Sequence, residues 1–191
     1  MNFRKKLRNL DKVIGTWFTV PSVHMADVIC SSGLDFIIID REHGPHSFET
    51  VYSSAIAARS HGVAPIVRCS STNASEILNV ADLGVAGLQF PNINKPEQIE
   101  EIIENALYQP EGNRGFSPFT RNGMYGGMSP SDVPSRSNEE LSLIVNIESI
   151  ESVNNIEDFI KYDRVDAFFI GMYDLSKSLG TPGVFTSNEF N

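Results

Sequence analysis

Little in this chain speaks for a secreted, membrane-bound or nucleic-acid-binding protein. It has only two cysteines, Cys30 and Cys69, 39 positions apart. They form neither a disulfide framework nor a metal-type pair, and they imply reduced thiols in a cytoplasmic protein. No stretch approaches the roughly 20 apolar residues that a membrane span needs. Positive charge is in deficit: 15 Lys and Arg stand against 24 Asp and Glu, a formal net charge of −9. That balance argues against nucleic acid or an anionic membrane as a partner, because nothing but local patches would offset phosphate repulsion. The one basic cluster, Arg4-Lys5-Lys6-Leu7-Arg8, is not followed by the apolar segment of a secretory signal. It is expected to be a solvated helix face. No internal sequence repeat is visible.

What the chain does have is a core and a rhythm. Its 191 residues are 41% hydrophobic and 20% charged, which suits a single domain over 1–191. Short apolar runs alternate with helical patterns. Strands are expected at Val13 to Val20, Phe36 to Asp40, Ala64 to Cys69, Ala86 to Phe90, Leu143 to Glu148 and Ala167 to Gly171. Helices are expected at Val23 to Ser32, from a Ser47 cap to Ser60, at Asn73 to Ala81, Pro96 to Tyr108 and Ile150 to Tyr162, with capping residues and glycine stops at the right offsets. The strands are almost continuously apolar, as in parallel sheets covered on both faces. The expected fold is an α/β, TIM-type β/α barrel. Six β/α units are present where a closed barrel needs eight, so the expectation is either a C-terminally incomplete barrel or a sheet completed by other means. Residues from about 109 to 140 are rich in Gly, Pro, Ser and Asn and read as one long loop, a lid or a subunit contact.

In such a barrel the active site is built at the C-terminal ends of the strands. The polar residues fall there: Asp40, Glu42 and His43 after the second strand, Arg68 after the third, Glu148 at the end of the fifth, and Asp174 after the sixth. Blander roles exist for each. Glu148 suits a cap for the helix from Ile150, and Asp174 a cap for a helix opened by Leu175-Ser176. Arg68 suits an ordinary ion pair, although a charge beside a buried strand end requires a partner. His24, His46 and His61 are expected as loop or capping residues.

Six motifs then occur in a telling order: Gly15-Thr16-Trp17, Asp40-Arg41-Glu42-His43-Gly44-Pro45, Pro65-Ile66-Val67-Arg68, Tyr108-Gln109-Pro110-Glu111-Gly112-Asn113-Arg114-Gly115, Val145-Asn146-Ile147-Glu148 and Phe169-Ile170-Gly171-Met172-Tyr173-Asp174-Leu175-Ser176. Over about residues 13 to 180 this resembles the HpcH/HpaI aldolases, metal-dependent class II enzymes that cleave or make 2-keto-3-deoxy sugar acids and related 4-hydroxy-2-oxo acids.

The resemblance implies Glu148 and Asp174 as ligands of a divalent metal, Mg²⁺ or Mn²⁺ with Co²⁺ as an alternative. It implies Arg68 beside the enolate oxygen, His43 as acid/base on the C4 hydroxyl, and Asp82 as the carboxylate paired with that histidine. Asp82 precedes the fourth strand, so this pairing is expected across a subunit interface in a homo-oligomer. Substrate contacts are expected from Arg68, Asn146, Gly171, Met172 and Tyr173, with Asp40 and Glu42 behind them. The chain departs from the family at Asn146, usually Gln, at Met172-Tyr173, usually Pro-Ala, and in the absence of two further strands. Alternatives are a citramalyl- or acyl-CoA-type lyase of a related barrel, and a catalytically silent, oligomer-forming homologue.

Overall fold

Six parallel strands form one sheet in chain order in the computed structural model, which describes residues 2–186 and 190. They are β1 (Gly15–Phe18), β2 (Phe36–Asp40), β3 (Ala64–Arg68), β4 (Gly87–Phe90), β5 (Ser142–Ile147) and β6 (Ala167–Ile170). The helices are α1 (Phe3–Arg8), α2 (Val23–Cys30), α3 (Phe48–Ser60), α4 (Ala74–Asp82), α5 (Pro96–Ala106), α6 (Asp132–Glu140), α7 (Ile150–Asn154), α8 (Ile156–Phe159) and α9 (Met172–Ser178). Each neighbouring strand pair is parallel. The result is an incomplete TIM-type barrel, as the alternation implies. Helix starts follow capping chemistry: Ser22, Ser47 and Asn73 accept from the backbone N–H groups of Met25, Thr50 and Glu76, which satisfies donors that have no partner within the helix.

Alternate residues along each strand serve different layers. Ile37, Ile39, Val67, Leu88, Leu143 and Val145 pack with the helices in the main core, whereas Ile38, Ile66 and Ile144 form a smaller inner cluster with Phe3 of α1. A fully buried Ile or Phe contributes about 1.5–3 kcal/mol. The larger sheet–helix layer therefore carries most of the stability, and the inner face is free to turn polar toward the rim.

Three expectations change. The segment 109–140 is not one loop: a 3₁₀ turn spans Arg121–Gly126 and α6 spans Asp132–Glu140. Only Val133 among the apolar residues of α6 is buried. A polar clamp docks the helix instead, with the Asn138 amide accepting from Tyr108 N–H at 2.9 Å and donating to Tyr108 C=O at 2.8 Å. A helix docked by amides leaves no apolar period to read. The helix expected at Ile150 to Tyr162 is broken at Asn155, whose side chain donates to Asn94 C=O at 2.7 Å. The N-terminal basic cluster is a solvated face only in part, since Lys5 is exposed while its neighbours are tied down. Phe3 is buried in the inner cluster, Arg4 and Arg8 each sit 2.9 Å from Asp166, and Lys6 sits 2.5 Å from Asp35. Helix α1 thus closes the base of the barrel. Ser187 and Asn188, in the run that ends the chain, lie outside the described residues.

Candidate active site

Strand register brings the rim residues together. Asp40 and Arg68 end adjacent strands as direct partners, and Arg68 is in turn partnered with Gln89 of β4. From those positions Arg68 donates Nε to Asp40 Oδ1 at 2.9 Å and Nη2 to Oδ2 at 2.7 Å. This two-pronged contact fixes the guanidinium plane. A third nitrogen, Nη1, lies 2.9 Å from Glu42, and the guanidinium carbon sits 4.4 Å from the centroid of the Trp17 ring. Trp17 also meets Phe169 of β6 edge-on, with centroids 5.5 Å apart. Arg68 is thus fixed by two carboxylates and one aromatic face.

Asp40 does a second job, accepting from the backbone N–H groups of Glu42 and His43 at 3.0 and 3.2 Å. It sets the turn that presents His43. Burial would push its carboxyl up, but the Arg68 hydrogen bond and the His43 and Glu42 N–H donors outweigh it and hold the group below its ordinary range. Glu42 goes the other way. Burial raises it, with the Arg68 and His43 charges opposing and the Glu148 charge adding.

Glu148 is buried, and both its oxygens are occupied. Oε1 accepts from Asn92 N–H at 2.5 Å, and Oε2 from the Asn146 amide at 2.8 Å. Asn146 is itself held by Gln89 at 2.7 Å, so the short amide at this position is supported by a longer one from the next strand. Glu148 does not cap α7, because Ser149 does. Asp174 does not cap α9, which begins at Met172, and it lies exposed in the first turn. Gly171 joins the two sides. A Cβ there would lie 2.8 Å from both Cβ and Oε2 of Glu148, so no larger residue fits without displacing that carboxylate.

His43, Arg68, Asn146, Glu148, Gly171, Met172, Tyr173 and Asp174, with Trp17, Phe169 and Ile170, line one cavity of about 390 Å³. That volume is ordinary for a small-molecule site. Asp82 is elsewhere. It ends α4, at the base of the barrel, and pairs with the buried Arg114. His46 is buried against the Phe18 carbonyl at 3.1 Å, and His61 ends α3 with a 2.7 Å contact to Asp27; both are structural, as expected. Sequence reasoning missed Gln89, Asn92 and Arg41. Arg41 ties the turn after β2 to α4 through Glu76, at 2.9 and 3.0 Å. A lone amide inside an otherwise apolar strand was the available signal for Gln89. Asn92 had none, since its left-handed backbone (φ 59°) shows only in three dimensions.

Among the described residues no group of three or more His, Cys, Asp or Glu is arranged to hold a metal. Two oxygen ligands with the remaining positions left to water and substrate is a normal protein contribution for Mg²⁺. The pair Glu148 and Asp174, on one cavity beside a fixed cation, fits that chemistry.

A family model described as HpcH/HpaI aldolase/citrate lyase matches residues 14–190. The chain belongs to the HpcH/HpaI aldolase/citrate lyase family. Among its relatives, the 2-keto-3-deoxy-L-rhamnonate aldolase of Klebsiella pneumoniae subsp. pneumoniae is 32% identical over 181 residues, 94% of this chain and 67% of that protein. The protein of the same name from Salmonella gallinarum is 30% identical with the same coverage. Among solved structures, citrate synthase SbnG superposes with a TM-score of 0.88 at 31% identity, covering 99% of this chain and 73% of that one. An HpcH/HpaI family protein from Burkholderia cenocepacia gives 0.92 at 26% identity, covering 100% and 76%. This HpcH/HpaI chain therefore spans about two thirds of the length of the aldolases it matches. No helix among its described residues is long and apolar enough to cross a membrane.

Proposed function

We propose that this HpcH/HpaI chain is a divalent-metal-dependent aldolase that cleaves a 4-hydroxy-2-oxo acid, of the 2-keto-3-deoxy sugar acid type, to pyruvate and an aldehyde. The observation that carries this is the convergence of His43, Arg68, Glu148 and Asp174 on one cavity. Glu148 and Asp174 would hold Mg²⁺, Mn²⁺ or Co²⁺. When bound, such an ion supplies Lewis-acid charge at the 2-oxo group. The remaining steps belong to the chain's own side chains.

Arg68 is locked by Asp40, Glu42 and Trp17 and presents a fixed positive charge to the C2 oxygen, where charge develops as the bond breaks. His43 takes the proton of the C4 hydroxyl. The C3–C4 bond then cleaves, C4 leaves as the aldehyde carbonyl, and the bonding pair passes to the enolate of pyruvate, which is protonated at C3. A preorganised donor such as Arg68 is typically worth about 3 kcal/mol in the transition state. Asn146, Gly171, Met172 and Tyr173 shape the pyruvate side, with Tyr173 narrowing the entrance.

Asp82 is assigned to orient His43 of a neighbouring copy in a homo-oligomer. Its place at the base of its own barrel favours a pairing between chains. Mixing His43→Ala with Asp82→Ala chains should restore activity to the hybrids if the site is shared.

Incubation of 2-keto-3-deoxy-L-rhamnonate with the protein and Mn²⁺ should release pyruvate, detected with lactate dehydrogenase. His43→Ala should not release it. A second reading rests on the structural likeness to citrate synthase SbnG: carbon–carbon chemistry in which a thioester or citrate-type partner is enolised. Release of pyruvate from no 2-keto-3-deoxy acid, with turnover of a CoA thioester, would favour it.

A further inference from the structure

The mechanism uses one end of the barrel, and a second charged cavity lies at the other. In a β/α barrel each helix runs back against its strand, so helix C-termini sit at the base. Arg59 is near the C-terminus of α3, and Gly84 lies between α4 and β4. With Arg121, Asn122, Met124, Tyr125, Arg136 and Glu140 they line a cavity of about 340 Å³, large enough for a small ligand.

Its charge is unbalanced. Three guanidiniums face one carboxylate, and that carboxylate, Glu140, is already 2.9 Å from Arg136. Arg59 spends Nε on the Gly84 carbonyl at 2.9 Å, and among the described residues neither Arg59 nor Arg121 has an acidic partner within ion-pair distance. Crowding by protein atoms lowers the pKa of Arg59, Glu140 opposes this, and the charges of Arg121 and Arg136 lower it further. The three cations therefore repel one another across the space.

Two of them are also held in place. The Arg121 stem lies against Gly84, where a Cβ would come within 3.1 Å of Arg121 Cγ. Its head sits 5.6 Å from the Tyr52 ring centroid, and Tyr52 is joined to Tyr125 through a 2.6 Å contact between their hydroxyls. In a chain of net charge −9, a concentration of cations on one cavity stands out against the rest of the surface.

We propose that this base cavity binds a doubly charged oxyanion of the phosphate type, free phosphate or the phosphate monoester of a small metabolite. Arg59 and Arg121 grip the oxygens, and Arg136 supplies long-range charge. Two guanidiniums match the oxygens of a tetrahedral anion with paired N–H donors. A dianion would cancel the net charge of the site. The site is separate from the rim cavity and does not depend on the aldolase reading.

The test is thermal shift and titration calorimetry with inorganic phosphate and, separately, glycerol 3-phosphate, against sodium chloride of equal ionic strength. Saturable binding in the millimolar range or tighter is expected. Arg59→Ala/Arg121→Ala, checked for folding by circular dichroism, should weaken it at least tenfold, and Glu140→Gln should tighten it several-fold. Arg68→Ala at the rim should leave it unchanged. Glycerol 3-phosphate binding tenfold tighter than phosphate would assign a monoester, and equal binding would assign free phosphate. No saturable response beyond the chloride control overturns the proposal. So does equal binding by the double variant, or loss of binding in Arg68→Ala alone.

Discussion

At the base of the barrel Asp166 is shared by Arg4 and Arg8, and Asp82 is taken by Arg114. At the rim Asp40 is taken by Arg68 in much the same way, yet Glu148 and Asp174 stand in the cavity wall with no Lys or Arg paired to either among the described residues. The Arg–carboxylate chemistry is shared, and so is the burial of the acids, since Asp40 is almost as enclosed as Asp166; the difference is that Arg68 lines a cavity. The Asp166 carboxylate at the base has no exposed surface; the Arg4 and Arg8 pairs there join α1 to β6. An ion pair as buried as that of Asp166 is poor evidence for function, because its partners satisfy each other; Asp82 keeps part of its surface exposed. At the rim the pair is a brace that holds Arg68 on the cavity wall, where Glu148 and Asp174 also stand. Charge left uncompensated beside a cavity is the better mark of a site.

The contrast can be broken most forcefully at Glu148. Glu148→Ala or Asp174→Ala should weaken Mn²⁺ binding, measured by calorimetry, by more than 100-fold, while Arg114→Ala at the base leaves it within twofold. Comparable losses in all three would erase the distinction. Next in size, Arg68→Ala should slow aldol cleavage by about 10²–10³-fold, as loss of one preorganised donor does. Arg68→Lys should recover only part of it, since an ammonium cannot reproduce the fork on Asp40. Gly171→Ala sharpens the comparison further. The new Cβ must displace Glu148, so Mn²⁺ affinity should fall about 10–100-fold, the range seen when a metal ligand loses its orientation, and the melting temperature should fall too, because Glu148 Cβ is tied to the backbone.

Much of this geometry was legible in the sequence, and its gaps have identifiable physical causes. The runs Phe36 to Asp40 and Ala64 to Cys69 were visible because strands buried on both faces are apolar throughout, although the third strand ends one residue earlier, at Arg68. Asp40 and Arg68, at the C-terminal ends of these runs, could be placed at the rim from the barrel rule alone. That Asp40 and Arg68 bind each other was not legible, because it depends on register across two strands. Glu42, read only as a residue behind the site, lies 2.9 Å from Arg68 for the same reason. Helix α6 escaped because amides hold it, and the fate of Arg4 and Arg8 escaped because Asp166 is more than 150 positions away.

Smaller effects test the braces. Arg114→Ala strands Asp82 and should cost about 2 kcal/mol, a fall of about 4–8 °C in melting temperature for a chain of this size. Glu76 is raised by burial, but the Arg41 hydrogen bonds outweigh that and hold its carboxyl below the ordinary value. Its contribution is therefore present above the unfolded glutamate pKa of about 4.3 and lost as pH falls through the lower folded value. The stability gap between the parent and Glu76→Gln in urea unfolding should accordingly be full at pH 7 and shrink below about pH 4. Smallest of all, Lys161→Ala removes an exposed pair with Asp158 and should leave the melting temperature unchanged.

The central claim is that the rim cavity enolises a 2-oxo acid, and exchange of the pyruvate C3 protons in deuterated water reads it without knowledge of the aldehyde. Nuclear magnetic resonance should show Mn²⁺- or Mg²⁺-dependent loss of the methyl signal with the parent protein. The loss should be abolished in Glu148→Ala and Arg68→Ala and retained in Arg114→Ala. Exchange at the parent rate in Arg68→Ala and Glu148→Ala, or none in the metal-loaded parent, would contradict the account.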